Sequence, residues 1–184
     1  MKDYQRLYPL FSLCGLNCGL CPMHLGKYCP GCGGGEGHQS CAIVKCSQQH
    51  GAIEYCYLCD EYPCQKYEGV TFFDSFISHK NMLKDFEKVK DIGLEAYQRE
   101  LEEKIAILHY LLDNYNDGRR KSFFCTAVNL LDLQDIKDVL AQTADEIHPD
   151  MSLKEKSATV AGLFQSAAEK HSISLKLNKR KPKK

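Results

Sequence analysis

Residues 14–22 read CGLNCGLCP, and with them begins a segment unlike the rest of the chain. Ten of the 11 cysteines lie within the 51 residues from Cys14 to Cys64, about one residue in five, and Cys125 stands apart. The segment is also rich in glycine and proline and has almost no helical periodicity. Because such a stretch cannot build an ordinary hydrophobic core, its cysteines must supply covalent or metal crosslinks.

The ten cysteines follow a spacing that is typical of metal ligands. They read Cys14-x3-Cys18-x2-Cys21, Cys29-x2-Cys32, Cys41-x4-Cys46 and Cys56-x2-Cys59-x4-Cys64. This pattern contains three C-x2-C pairs. Two thiolates three positions apart on a tight turn can reach one tetrahedral ion at about 2.3 Å. A structural zinc ion contributes roughly 10 to 16 kcal/mol of apparent binding free energy that is coupled to folding. We therefore interpret all ten as metal ligands and expect two Zn²⁺ ions as cofactors.

The spacing leaves the grouping of these thiols open. One arrangement is a zinc-ribbon-like site made from two C-x2-C pairs, Cys29 with Cys32 and Cys56 with Cys59. The C-x3-C-x2-C group would then take a further ligand such as Cys64, which leaves Cys41 and Cys46 unassigned. Three histidines in the segment could add ligands, namely His24, His38 and His50. Since ten cysteines suffice for two sites, we expect these histidines to be ordinary polar residues.

Composition and charge limit the partners and the cellular location that we expect for the protein. The chain has 184 residues with 24 basic and 24 acidic side chains, so its net charge indicates no strongly charged partner. No apolar run reaches 18 residues, which excludes a membrane span, and Asp3 and Pro9 interrupt the apolar patch near the start. We expect a cytoplasmic protein without a membrane partner. Cytosolic thiols stay reduced, which favours metal ligation over disulfides.

Helical periodicity begins after Tyr67. Apolar residues then recur every three or four positions and predict five helices. The first covers Phe72 to Phe86, the second ends at Asp117-Gly118, and the third starts near Ser122. The fourth is capped by Asp132, and the fifth begins with a capping box at Ser152. Alternation over residues 173–177 suggests a short strand.

These patterns define a mainly α protein. We predict a small irregular Cys-rich metal-binding module over residues 1–67 and an approximately five-helix domain over residues 68–177. Residues 178–184 are basic and are expected to form a disordered tail.

The chain also resembles a known family. The residues that carry the likeness are CGLNCGLCP at 14–22, CPGC at 29–32 and CYLCDEYPC at 56–64. They resemble a cysteine-rich bacterial and archaeal family known as domain of unknown function 3795, over about residues 11–67. GRRKSFFCTAVNLL at 118–131 is similar to a helical extension of one subgroup. The resemblance implies a metal-binding module that takes zinc, and it implies no reaction.

These features indicate a general class of function but no reaction. The chain has no P-loop, no G-x-S-x-G and no H-E-x-x-H, so we do not expect an enzyme. The favoured hypothesis is a zinc module whose helical half binds a protein partner or regulates one, with a homodimer through the helices as a variant of it.

Two alternatives remain open. The first is an iron-sulfur or thiol redox protein that uses Cys14, Cys18 and Cys21, since C-x3-C-x2-C holds the cluster of radical S-adenosylmethionine enzymes. The sequence lacks the alternation of strands and helices that forms the barrel of those enzymes, which argues against membership of that class. The second is a zinc-ribbon-like nucleic-acid-binding protein. It is disfavoured because the first 66 residues are neutral, with five basic and five acidic side chains.

Overall fold

Helices dominate the secondary structure. The structure is a computed structural model that describes residues 4–38 and 41–180. Within them lie seven α-helices: α1 (Pro22–Leu25), α2 (Ala42–Gln49), α3 (Met82–Ile92), α4 (Leu94–Tyr115), α5 (Lys121–Leu130), α6 (Leu133–Glu146) and α7 (Leu153–Lys170). Short 3-10 turns occupy Cys18–Leu20, Cys56–Leu58 and Gln65–Tyr67. The same residues contain no strand, only an isolated bridge between Gln5 and Gly34, and the mainly α prediction is confirmed.

The helix ends follow the local sequence signals closely. α4 ends at Tyr115, and Gly118 then takes a left-handed φ of 89°. Ser152 caps α7 with a capping box, in which the Glu155 N–H donates to Ser152 Oγ at 3.3 Å and the Ser152 N–H donates to Glu155 Oε2 at 2.8 Å. Asp132 occupies the N-cap position of α6, but its carboxylate accepts from Lys84 at 3.3 Å instead of capping the helix. No helix in residues 4–38 and 41–180 is long and apolar enough to cross a membrane.

One cluster of buried apolar side chains joins the cysteine segment to the helices. The Phe11 ring meets Phe86 of α3 edge-on at 5.6 Å between centroids and lies 4.7 Å from the Tyr97 ring of α4. Further along the same cluster, Phe124 of α5 packs against Phe164 of α7. The few large apolar residues before Tyr67 are therefore buried against helices that the rest of the chain forms. The division of the chain at residue 67 stays a prediction.

The first predicted helix is shorter than its periodicity indicates. α3 begins at Met82, whereas Phe72 and Phe76 lie in turns before it and are 71% and 59% exposed. Asp74 stabilises these turns, because its Oδ1 accepts the His79 N–H at 2.7 Å and the Ser78 hydroxyl at 3.2 Å. Such local side-chain bonds compete with helix formation.

The predicted strand at residues 173–177 is also absent. This part of the chain runs beside the Asp74 turn, and the Asp74 N–H donates to the Asn178 carbonyl at 2.8 Å. The Asn178 N–H donates in return to Asp74 Oδ2 at 2.7 Å, and Lys80 Nζ donates to the carbonyls of Ser174 and Lys176. Residues 178–180 of the predicted tail are thus held against this turn, and residues 181–184 lie outside the described residues.

Candidate metal centre

Four cysteines from three parts of the chain line one small cavity. Cys46 lies on α2, Cys56 and Cys59 are the first residue and the C-cap of a 3-10 turn, and Cys64 directly precedes the next such turn. The cavity has a volume of about 20 Å³, which is room for a single water molecule or ion. We call Cys46, Cys56, Cys59 and Cys64 the second thiol group.

The C-x2-C turn places two of these thiols side by side. The Cys59 N–H donates to the Cys56 carbonyl at 3.0 Å and closes the turn. Burial raises the pKa of Cys56 to about 11, and the nearby Tyr67 hydroxyl acts in the opposite direction. The same hydroxyl donates to the Cys14 carbonyl at 3.2 Å. Tyr67 therefore links the second thiol group to the first cysteine motif.

A first thiol group is formed by Cys14, Cys18, Cys32 and Cys41. Burial raises the pKa of Cys14 to about 12, and the charges of Cys32 and Cys41 add to this effect. Burial likewise raises the pKa of Cys18 well above its ordinary value, with Cys32 as the next cause. Effects of this kind indicate that these side chains lie near one another.

Hydrogen-bond donors face the sulfur atoms of the first thiol group. The Ser12 hydroxyl lies 3.2 Å from Cys14 Sγ, and the backbone amide of Cys32 acts to lower the pKa of Cys18 against the effect of burial. Burial raises the pKa of Cys32, and the charge of Arg6, whose side chain is 1% exposed, acts to lower it. Arg6 also forms an ion pair with Glu54 at 3.0 Å. Donors of this type stabilise a thiolate, while burial alone would keep it protonated. The environment therefore suits thiolates that are paired with a cation.

Cys21 and Cys29 lie in neither group. Burial raises the pKa of Cys21, backbone amides of Met23 and His24 lower it, and Cys29 raises it. Cys125 is 2% exposed in α5, and burial raises its pKa to about 12, as expected of a small buried residue.

This grouping differs from the zinc-ribbon-like arrangement. Cys32 acts on the pKa values of Cys14 and Cys18 and Cys41 acts on that of Cys32, whereas Cys56 and Cys59 line the cavity of the second thiol group. Cys64 lines the second cavity and does not complete the C-x3-C-x2-C motif, whose third member, Cys21, is beside Cys29. Cys41 and Cys46, which the sequence left unassigned, each belong to one group.

The three candidate histidines differ in their distance from the thiols. His24 Nδ1 lies 3.1 Å from the Cys29 carbonyl oxygen. Burial lowers the pKa of His38, whose ring is 5.9 Å from that of Tyr4. His50 Nδ1 lies 3.7 Å from Cys46 Sγ, so this histidine directly contacts the second thiol group.

The side chains are not arranged around an ion as they stand. In residues 4–38 and 41–180, no three His, Cys, Asp or Glu side chains are placed to hold one metal ion together. A thiol changes its direction by rotation about the single Cα–Cβ bond, so a shared cavity can become a coordination site without movement of the backbone. Metal ligation by the ten cysteines stays a prediction.

A buried polar network holds the turn of the first cysteine motif against the helices. Asn17 Nδ2 donates to Asp85 Oδ2 at 3.0 Å and to Asn129 Oδ1 at 3.2 Å, and the Tyr97 hydroxyl donates to Asn17 Oδ1 at 3.0 Å. Burial raises the pKa of Asp85 to about 6, although the nearby ammonium of Lys104 acts to lower it. Asn17 is thus a structural residue of the site that the motif alone does not reveal.

The fold is that of a mainly α-helical, cysteine-rich protein in which four of the cysteines line one small cavity. No family model, no curated protein and no solved structure matches the chain. The resemblance to domain of unknown function 3795 therefore stays a prediction that rests on the cysteine motifs.

Proposed function

We propose that this chain is a cytoplasmic zinc-binding protein in which each thiol group holds one Zn²⁺ that stabilises the fold. The observation that carries the proposal is the small cavity lined by all four cysteines of the second thiol group. Four cysteine ligands are the usual donor set of a structural zinc site. The 20 Å³ volume excludes a larger ligand.

The chemistry of the donor set supports the same proposal. Desolvation raises the pKa of Cys14, Cys18, Cys32 and Cys56, which opposes free thiolates at neutral pH. A bound divalent cation deprotonates its thiol ligands outright, so it removes this conflict between burial and charge. The N–H and hydroxyl donors at the first thiol group would then complete the second shell of hydrogen bonds around the sulfur atoms.

Metal analysis of protein purified without oxygen and without added metal tests the proposal. We expect about two zinc ions per chain, no visible colour, and eight thiols that a chelator releases from the metal. Chelation should also lower the protection of residues 13–67 in hydrogen exchange, because metal binding and folding are coupled. Metal-free folded protein would refute the proposal. Iron with sulfide would refute it in favour of the iron-sulfur alternative.

A variant pair separates specific binding from incidental binding by thiols. Cys59→Ser removes one ligand of the second thiol group and should lower the zinc content from two ions per chain to one. Cys125→Ala removes a cysteine that is buried in the core on α5 and should leave both ions in place. Equal zinc contents in the two variants would contradict the assignment of the second site.

A protein-interaction role for the helical half is supported by three exposed phenylalanines close in sequence. Phe72, Phe73 and Phe76 are 71%, 43% and 59% exposed in the turns before α3. Exposed apolar groups of this kind are common where proteins bind one another. Size-exclusion chromatography with light scattering tests the homodimer variant. A monomer at micromolar concentration would exclude it there.

A further inference from the structure

The second thiol group has a closed side and an open side. Cys56 and Cys59 line the small inner cavity, whereas Cys46 and Cys64 line that cavity and also an open cleft of about 860 Å³. A small solute that enters the cleft therefore meets the sulfur atoms of Cys46 and Cys64. Accessible thiols are the ones that oxidants and modifying reagents attack, because reaction needs contact between sulfur and reagent.

One of the two open thiols also has an imidazole beside it. His50, one helical turn after Cys46, places Nδ1 3.7 Å from Cys46 Sγ and 2.9 Å from the Cys46 carbonyl oxygen. On the other side of the ring, Nε2 lies 3.6 Å from Glu61 Oε1. A cysteine, a histidine and a carboxylate in this order are the arrangement that orients an imidazole toward a nucleophilic sulfur. Cys64 has no comparable neighbour among the contacts of the described residues.

The charges around the cleft suit a small oxidant. Lys66 and His50 lie on its wall together with Glu61 and Glu68, so the two signs are mixed and neither excludes a neutral molecule. Hydrogen peroxide is neutral and small enough to pass through the cleft to Cys46. The open side therefore admits a hydroperoxide to Cys46.

We propose that Cys46 is a site of oxidation by hydroperoxides and that Cys64 resolves it as a disulfide. In the first step the Cys46 thiolate attacks one oxygen of the peroxide, the S–O bond forms, the O–O bond breaks, and hydroxide leaves and is protonated to water. In the second step the Cys64 thiolate attacks the Cys46 sulfenic acid, the S–S bond forms and a second water leaves. Two thiols are oxidised by two electrons in total, and one peroxide is reduced to two waters.

The effect of this oxidation on metal binding rests on the proposed function, in which the second thiol group holds a zinc ion. A disulfide between Cys46 and Cys64 removes two of the four ligands of the second site, and the ion there should be released because Cys56 and Cys59 alone cannot complete a tetrahedral site. The first thiol group keeps its own ion. Oxidation would therefore convert the chain from two bound zinc ions to one, and a thiol reductant with zinc would reverse the change.

The experiment uses the full-length protein as purified, with its metal content measured beforehand. One equivalent of hydrogen peroxide is added, released zinc is followed with a coloured chelator, and disulfides are mapped by mass spectrometry after blocking free thiols. We expect one zinc per chain to be released and Cys46–Cys64 to be the first disulfide. His50→Ala should slow formation of the Cys46–Cys64 disulfide on the order of tenfold or more, because it removes the imidazole that lies beside Cys46 Sγ. His109→Ala, an exposed histidine on α4, is the matched control and should react at the wild-type rate.

The outcomes separate the inference from the proposed function. If the purified protein holds no metal but Cys46–Cys64 still forms first, the zinc proposal fails and the oxidation site stands. If two zinc ions are present but the first disulfide involves Cys14, Cys18, Cys32 or the pair Cys21 and Cys29, the oxidation site is wrong. An oxidation rate that is equal in His50→Ala and wild type would overturn the role assigned to His50, and with it the reason for selecting Cys46.

Discussion

Replacing Asp85 by asparagine should make the protein more stable relative to wild type as the pH rises. Burial holds the pKa of Asp85 at about 6 in the fold, against 3.8 for the free side chain. Because the folded-state pKa is raised, the protonated form favours folding. The contribution of Asp85 to the free energy of unfolding is therefore fully present below about pH 3.8, and it is lost as the pH rises through about 6.

The size of the effect follows from the same two pKa values. Ionisation of Asp85 costs the folded state about 1.5 kcal/mol at pH 5 and about 3 kcal/mol at pH 7.5. Asparagine does not ionise, and its side-chain oxygen can still accept the hydrogen bond from Asn17. The difference in unfolding free energy between Asp85→Asn and wild type should therefore shift toward the variant by about 1.5 kcal/mol between these two pH values.

The assay is urea unfolding followed by the helical circular dichroism signal at pH 5 and pH 7.5, with the metal content of both proteins matched. Asp132→Asn is the control. Although burial acts in the opposite direction, Lys84 holds the pKa of Asp132 below its usual value, so Asp132 is ionised in both folded and unfolded states across this range. Its difference from wild type should stay constant. A pH-independent difference for Asp85→Asn would refute the reasoning that Asp85 is desolvated in the fold.

Three further predictions concern packing, capping and backbone conformation, each measured by urea unfolding. Phe164→Ala should cost about 3 to 5 kcal/mol because the ring is fully buried, and a cost under 1 kcal/mol would contradict that burial. Ser152→Ala should cost about 1 kcal/mol through loss of the capping box, and no change would show that the cap is not formed. Gly15→Ala should lower the free energy of unfolding more than Gly35→Ala does. Both residues have a positive φ, but only at Gly15 would a Cβ lie 2.7 Å from a backbone oxygen. Equal losses in the two variants would refute the close contact.

The sequence predicted the parts of the fold that depend on local signals. The capping box at Ser152 and the left-handed turn at Gly118 involve residues within a few positions of each other, so their outcome is independent of the rest of the chain. The same local reasoning was wrong at Phe72 and Phe76. Their spacing fits a helix, but the Asp74 carboxylate binds the hydroxyl and amide groups that follow it and stabilises turns instead.

The grouping of the cysteines could not be predicted because contacts between distant residues determine it. Cys46 and Cys64 are 18 positions apart in the sequence and line one cavity in the fold, and neither thiol spacing nor turn propensity contains that information. Asn17 shows the same limit. Its partner Asp85 lies 68 positions away and its partner Asn129 lies 112 positions away, so a lone asparagine between cysteines gives no signal of its role.

The two thiol groups follow one another along the chain without overlap. All members of the first precede α2, which starts immediately after Cys41, and all members of the second lie from Cys46 to Cys64. A chain that leaves the ribosome at about 5 to 20 residues per second would expose each complete set of thiols seconds before the helices of the other half exist. Each set can thus be assembled in the order of synthesis. Phe11 would likewise leave the ribosome before α3 and α4, the helices whose Phe86 and Tyr97 rings it contacts in the fold.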